Sequence, residues 1–95
     1  MNLVKINAVF KSVSVRDGGE FTNDMGALVK YDPMFVIKFD EDINGNPTER
    51  RLKFPTSNKM LKSKLDELET YSKITLICNV ELYSANAKVT PIDME

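Results

Sequence analysis

One segment of this chain, Ser57 to Tyr71, carries apolar residues at helical spacing, and the runs on either side of it alternate as strands do. Leu61, Leu65 and Leu68 recur at i, i+4 and i+7, which predicts one buried stripe, and Ser57 stands where an N-cap would. Three strand-like runs precede this segment and two follow. A chain of 95 residues supports one domain that buries somewhat more than about 60% of its unfolded surface, so one modest core is all it can build.

The first strand is predicted from Leu3 to Arg16. Its apolar residues fall on even positions (Val4, Ile6, Ala8, Phe10) and then on odd ones (Val13, Val15). A period-two pattern changes parity only through an extra residue or a sharp bend, so a bulge is expected near Lys11-Ser12. Asp17-Gly18-Gly19 is a turn signal, and Glu20 to Gly26 reads as a polar loop holding Phe21 and Met25. The second strand is expected from Leu28 to Asp40, with Phe35, Ile37 and Phe39 on one face and Pro33 marking an edge or bulge. Asp40 to Pro47 is read as the hairpin connection because it contains Asn44-Gly45. The third strand follows from Thr48 to Phe54. After the helix, Ile74, Leu76, Cys78, Val80 and Leu82 alternate without a break as the fourth strand. Ser84-Ala85-Asn86 turns the chain, and Ala87 to Ile92, with Pro91 suited to an edge, forms the fifth.

The formal net charge is −1, yet charge is segregated. Residues 48–64 hold six basic groups against one acid, Glu49, while residues 65–95 hold six acids against two basic groups. Such segregation produces a positive face on a nearly neutral protein. Within the helix, Lys59, Lys62 and Lys64 crowd the start and Asp66, Glu67 and Glu69 the end, an order that opposes the helix dipole. The single Cys78 has no disulfide partner within these residues and suits a reducing compartment. The opening Met1 to Lys5 lacks the basic and apolar regions of a signal peptide, so a cytoplasmic location is expected, and no apolar run reaches the roughly 20 residues that cross a bilayer.

Enzymatic chemistry finds little support, since the chain has no histidine and Cys78 lies on the apolar side of its strand. No enzyme activity, cofactor or metal is expected. Asp40, Asp42, Asn44 and Gly45 match the first half of a calcium loop, but the position that should supply a bidentate glutamate is Arg51, and strands stand where helices are needed. The acids are read instead as a solvated hairpin tip.

Arg50, Arg51 and Lys53, with Lys38 on the neighbouring strand, are expected to form an outward basic row able to track phosphates, and nearby rings can stack on unpaired bases. The ring candidates are Tyr31, Phe21 and Tyr83; Lys30 adjoins Tyr31. The full set of candidate nucleic-acid-binding residues is Phe21, Lys30, Tyr31, Lys38, Arg51, Lys53 and Tyr83. Phe35, Phe39 and Phe54 are assigned to the core.

The order β-β-β-α-β-β is that of the OB-fold, a mainly β, five-stranded Greek-key barrel with one helix between strands 3 and 4. On element order, size and residue chemistry, the chain resembles phage and plasmid single-stranded-DNA-binding proteins of this fold, including the small filamentous-phage binders. That resemblance implies a non-catalytic protein that coats and protects single strands during replication or recombination, in the bacterial host cytoplasm if phage-encoded. It assigns Lys38, Arg51 and Lys53 to the backbone-tracking surface and Tyr31 to a stacking position. Replication or recombination proteins are possible partners. A domain of this size is also expected to pair into a homodimer or a larger homo-oligomer. The alternative is an OB-type protein–protein interaction module, such as a phage inhibitor or assembly subunit, that uses the acidic surface of residues 65–95 or an exposed strand edge.

Overall fold

The first strand, β1 (Asn2–Arg16), bends where its parity changes. In the computed structural model, which describes residues 2–83 and 85–95 apart from the side chain of Tyr83, Ile6, Ala8 and Phe10 are buried. The register against the strand Met34–Ile43 then shifts between Phe10 and Ser12. Lys11 is the extra residue, as the parity switch predicts. The bend lets one strand serve two neighbours. Its first half pairs with the strand Lys73–Tyr83 (Val4 opposite Cys78, Ala8 opposite Ile74), and its second half pairs with Met34–Ile43 (Val15 opposite Phe35). At the bulge the chain after the helix seals the backbone: Phe10 N–H donates to Ser72 O at 2.8 Å, and Tyr71 N–H donates to Phe10 O at 2.6 Å.

The region from Asp17 to Pro33 departs from expectation. It forms a small hairpin of its own, β2 (Gly19–Thr22) against β3 (Leu28–Tyr31), as a separate two-stranded sheet. The expected strand from Leu28 to Asp40 is interrupted at Asp32-Pro33, because proline cannot donate to a ladder and holds its predecessor away from regular pairing. The loop of the hairpin is closed by Asn23, whose side-chain oxygen accepts from the N–H groups of Met25 and Ala27, each at 3.0 Å.

β4 (Met34–Ile43) and β5 (Asn46–Pro55) are joined by a turn of only two residues, Asn44 (φ 53°) and Gly45 (φ 82°). Two positive φ values are what a type I′ hairpin turn demands, and Asn-Gly supplies them cheaply. The connection is tighter than the predicted Asp40–Pro47 because the ladder continues through Glu41–Thr48 and Ile43–Asn46.

The helix, α1 (Lys59–Asp66), is shorter than expected and is capped by Asn58, not Ser57. The Asn58 side-chain oxygen accepts from Leu61 N–H at 3.2 Å, and its amide donates to Ile92 O at 3.0 Å. Leu61 and Leu65 are buried, whereas Leu68 packs against the core from beyond the helix end. The acids at the C-terminal end disfavour further helical turns, and Tyr71 reverses the chain at φ 71°. Lys62 and Asp66 pair at 2.6 Å and offset part of the unfavourable charge order.

β6 (Lys73–Tyr83) and β7 (Asn86–Met94) complete a five-stranded sheet in the order β5-β4-β1-β6-β7, antiparallel throughout. Phe39, Phe54, Ile37, Leu61, Leu65, Leu76 and Cys78 form its fully buried centre, and Phe35 packs on Phe54 with ring centroids 5.3 Å apart. The described structure is mainly β with one helix, as expected, but where a five-stranded Greek-key barrel was expected the sheet is not closed. Among the described residues, no ladder joins the edges β5 and β7. Pro55 is the last residue of β5, and Pro91 stands within β7 beside the point where the register against β6 shifts. The helix and its cap are tied to β7 by side chains: Asn58 donates to Ile92 O, and Lys64 lies 2.7 Å from Asp93. No described helix is long and apolar enough to cross a membrane.

Candidate nucleic-acid interface

Residues directly opposite on an antiparallel ladder share a face. Arg51 lies opposite Lys38, and Lys38 opposite Ser12; Lys53 lies opposite Val36, and Val36 opposite Ser14. Arg51, Lys38 and Lys53 therefore stand on one outer face, away from Ile37, Phe39 and Phe54. Arg16, opposite Met34, continues this face at the end of β1. Arg50 does not belong to the row. It opposes Phe39 and so has core parity, where its guanidinium is held 2.6 Å from Glu41 and lies near enough to Cys78 to act on that thiol.

A cleft of about 650 Å³ opens where β5, β7 and the β2–β3 hairpin meet. Five cations line it: Arg16 from β1, Lys30 from β3, Arg51 and Lys53 from β5, and Lys88 from β7. Among the described lining residues the single acid is Asp32. Tyr31, Met34, Leu52, Ala87 and Val89 provide apolar surface between the charges. The open seam of the sheet is thus the place where cations from four strands converge.

Tyr31 is held in this cleft by its surroundings. It lies opposite Gly19 on the hairpin, and a Cβ on Gly19 would stand 2.7 Å from the Tyr31 hydroxyl oxygen. The guanidinium carbon of Arg16 is 5.6 Å from the ring centroid, a cation–π distance. Phe21 stands beside Tyr31 on the same hairpin face, with centroids 6.2 Å apart and planes tilted by 44°. Both rings are roughly half exposed, at 43% for Tyr31 and 52% for Phe21. The Nε of Arg16 is buried and has no hydrogen-bond partner among the described residues.

Lys38 takes a different position from the other predicted cations. It lies outside the cleft lining, with its ammonium 3.5 Å from Glu49. Glu49 also lies 3.1 Å from Lys11 and 3.8 Å from Arg51, while Lys11 reaches Asp40 at 3.1 Å. The hydrogen bond from Lys11 holds the Glu49 carboxyl below its ordinary range, and Glu49 and Asp40 together hold the Lys11 ammonium above its own.

Of the predicted site residues, the fold brings Lys30, Tyr31, Arg51 and Lys53 into one cleft, sets Phe21 at its side and leaves Lys38 on the same outer face but outside the cleft lining. The Tyr83 side chain lies outside the described residues. Arg16, Lys88 and Glu49 were not foreseen. For two of them the signal was present, since Arg16 follows Ser12 and Ser14 in phase after the bulge, and Glu49 is in phase with Arg51 and Lys53.

Elsewhere, Cys78 is fully buried, and burial pushes its thiol up to about 11. A smaller cavity of about 460 Å³ is lined by Asn7, Asp40, Asp42, Lys73 and Glu95 among others, with mixed charge. Among the described residues, no three His, Cys, Asp or Glu side chains converge in a way that could hold a metal ion. No family model, curated protein or solved structure matches the chain.

Proposed function

We propose that this protein is a non-catalytic single-stranded-DNA-binding protein of OB-fold type and of phage or plasmid origin. In this reading it coats and protects strands during replication or recombination. The observation that carries the reading is the convergence of five cations and the partly exposed ring of Tyr31 in one cleft whose described lining holds a single acid. Cations track phosphates, and an aromatic face can stack only on a base that is itself unstacked, which favours a single strand over a duplex. The strand order supports the fold assignment, because the long first strand is central and the helix packs against β7 and β1. Pairing into homodimers or larger assemblies would lengthen the bound track.

The test is a fluorescence titration with poly-dT, duplex DNA and RNA at two salt concentrations. If all five cleft cations engage phosphates, the log–log salt slope on single strands is about −3.5, and the double reversal Arg51→Glu with Lys53→Glu abolishes binding. Undetectable binding to poly-dT at low salt overturns the proposal. The second reading, a protein–protein module, is favoured by the unpaired edges of β5 and β7, since such edges can accept a partner strand. It requires that the same charge reversal leave partner binding intact.

A further inference from the structure

The basic face carries its own anion. Glu49 lies two residues before Arg51 on β5 and opposite Asp40, so its side chain stands among cations from three strands. One carboxylate oxygen is 3.1 Å from the Lys11 ammonium and 3.5 Å from that of Lys38, and the other is 3.8 Å from the Arg51 guanidinium. An anion with two oxygens directed at ammonium and guanidinium groups has the chemistry these groups would offer a phosphate. Lys11 also has Asp40 at 3.1 Å, so the acids form a resting network on the β1 side of the face.

We propose that Glu49 is an internal competitor for phosphate, occupying the position between Lys38 and Arg51 that a nucleic-acid phosphate takes when a strand binds. The inference rests on the nucleic-acid reading of this face. Binding then exchanges one anion for another: Glu49 withdraws toward Lys11, and Lys38 and Arg51 pass to the strand. The exchange lowers affinity and makes release easier. It also gives the predicted cation Lys38, which is outside the cleft, a role that appears only on binding. Glu49 is in this sense an affinity-determining residue, and Lys11 positions it.

The test compares wild type, Glu49→Gln and Glu67→Gln on a poly-dT probe at low and moderate salt, with circular dichroism confirming the fold. Glu67 ends α1, away from the row, and its substitution changes net charge equally. The expected result for Glu49→Gln is binding tighter by about three- to tenfold, as two exposed ion pairs cease to compete, and a salt slope steeper by about 0.7 to 1.4. Glu67→Gln should shift affinity by less than about twofold, the weak effect of a distant, screened charge. Should wild type bind while Glu49→Gln matches either wild type or Glu67→Gln, the competitor role is overturned and the reading of the face survives. Silence from wild type at low salt overturns the reading of the face, and the competitor role falls with it.

Discussion

The Tyr31 ring lies against the backbone of Gly19, so closely that a Cβ at Gly19 would stand 2.7 Å from the phenolic oxygen and 2.9 Å from the ring carbon that bears it. With Arg16 5.6 Å from the ring centroid, the side chain is presented to the cleft in a defined orientation. Preorganisation of this kind spares a binding site the entropy of ordering a rotatable ring.

The two neighbouring glycines should separate binding from stability. In Gly19→Ala the obstructed atoms are the far end of Tyr31, which can swing aside. The expected stability loss is under about 1 kcal/mol, while poly-dT affinity falls by about fivefold or more as stacking is lost. In Gly18→Ala the new methyl meets Tyr31 O at 2.8 Å and the Pro33 ring and nitrogen at 2.9 Å, none of which can yield easily. A loss of about 1–3 kcal/mol is expected. Thermal melts paired with titrations check both, and equal melting temperatures would contradict the packing described.

Asn58 should matter where Ser57 does not. Asn58→Ala removes the cap on Leu61 N–H and the bond to Ile92 O, for an expected cost of about 1–2 kcal/mol. Asn58→Asp keeps the cap but sets a carboxylate against the Ile92 carbonyl, so it should recover only part of the loss. Ser57→Ala is expected within about 0.5 kcal/mol of wild type. Urea denaturation of the three variants measures these differences.

Acid should weaken the tie between α1 and β7. The hydrogen bond from Lys64, with a second from the Met94 N–H, holds the Asp93 carboxyl below its ordinary 3.8. A lowered folded-state value stabilises the fold above the unfolded value, and that contribution is lost as pH falls through the folded one. Melting temperature should therefore decline below about pH 4 in wild type, and less steeply in Asp93→Asn. Parallel pH profiles for the two proteins would refute the assignment.

Cys78 should resist thiol reagents until the protein unfolds. With its thiol raised from an ordinary 9.0 to about 11, the thiolate population at pH 8 is about 100-fold below that of an unperturbed cysteine, and the sulfur is also fully buried. Labelling with a disulfide reagent should be slow in buffer and rapid in denaturant. The raised value favours folding below pH 9 and is lost as pH rises through about 11. Rapid labelling of the native protein would place the thiol on the surface.

Local pattern carried much of the fold. The parity switch around Lys11 located the bulge, Asn44-Gly45 located the hairpin turn, and the alternation of Ile74, Leu76 and Cys78 assigned the buried side of β6. These features were legible because each depends on residues close together in the chain. Arg50 was misplaced in the basic row because adjacent positions on a strand face opposite ways, and it follows Phe39 in phase while Arg51 follows Lys38.

By itself, the sequence determined a mainly β chain with one helix, a bent first strand and a basic third long strand, because period and turn chemistry act over a few residues. The tertiary structure alone decided which residues meet. Whether Ser57 or Asn58 caps the helix depended on where β7 placed the Ile92 carbonyl, 34 positions away. The cleft formed because the open seam set Lys88 of β7 beside Arg51 and Lys53 of β5, and because the separate hairpin leaned Tyr31 over Arg16. Alternation along one strand specifies a face but not the neighbour across a gap, and the anion within that face, Glu49, became visible only once three strands brought their cations to it.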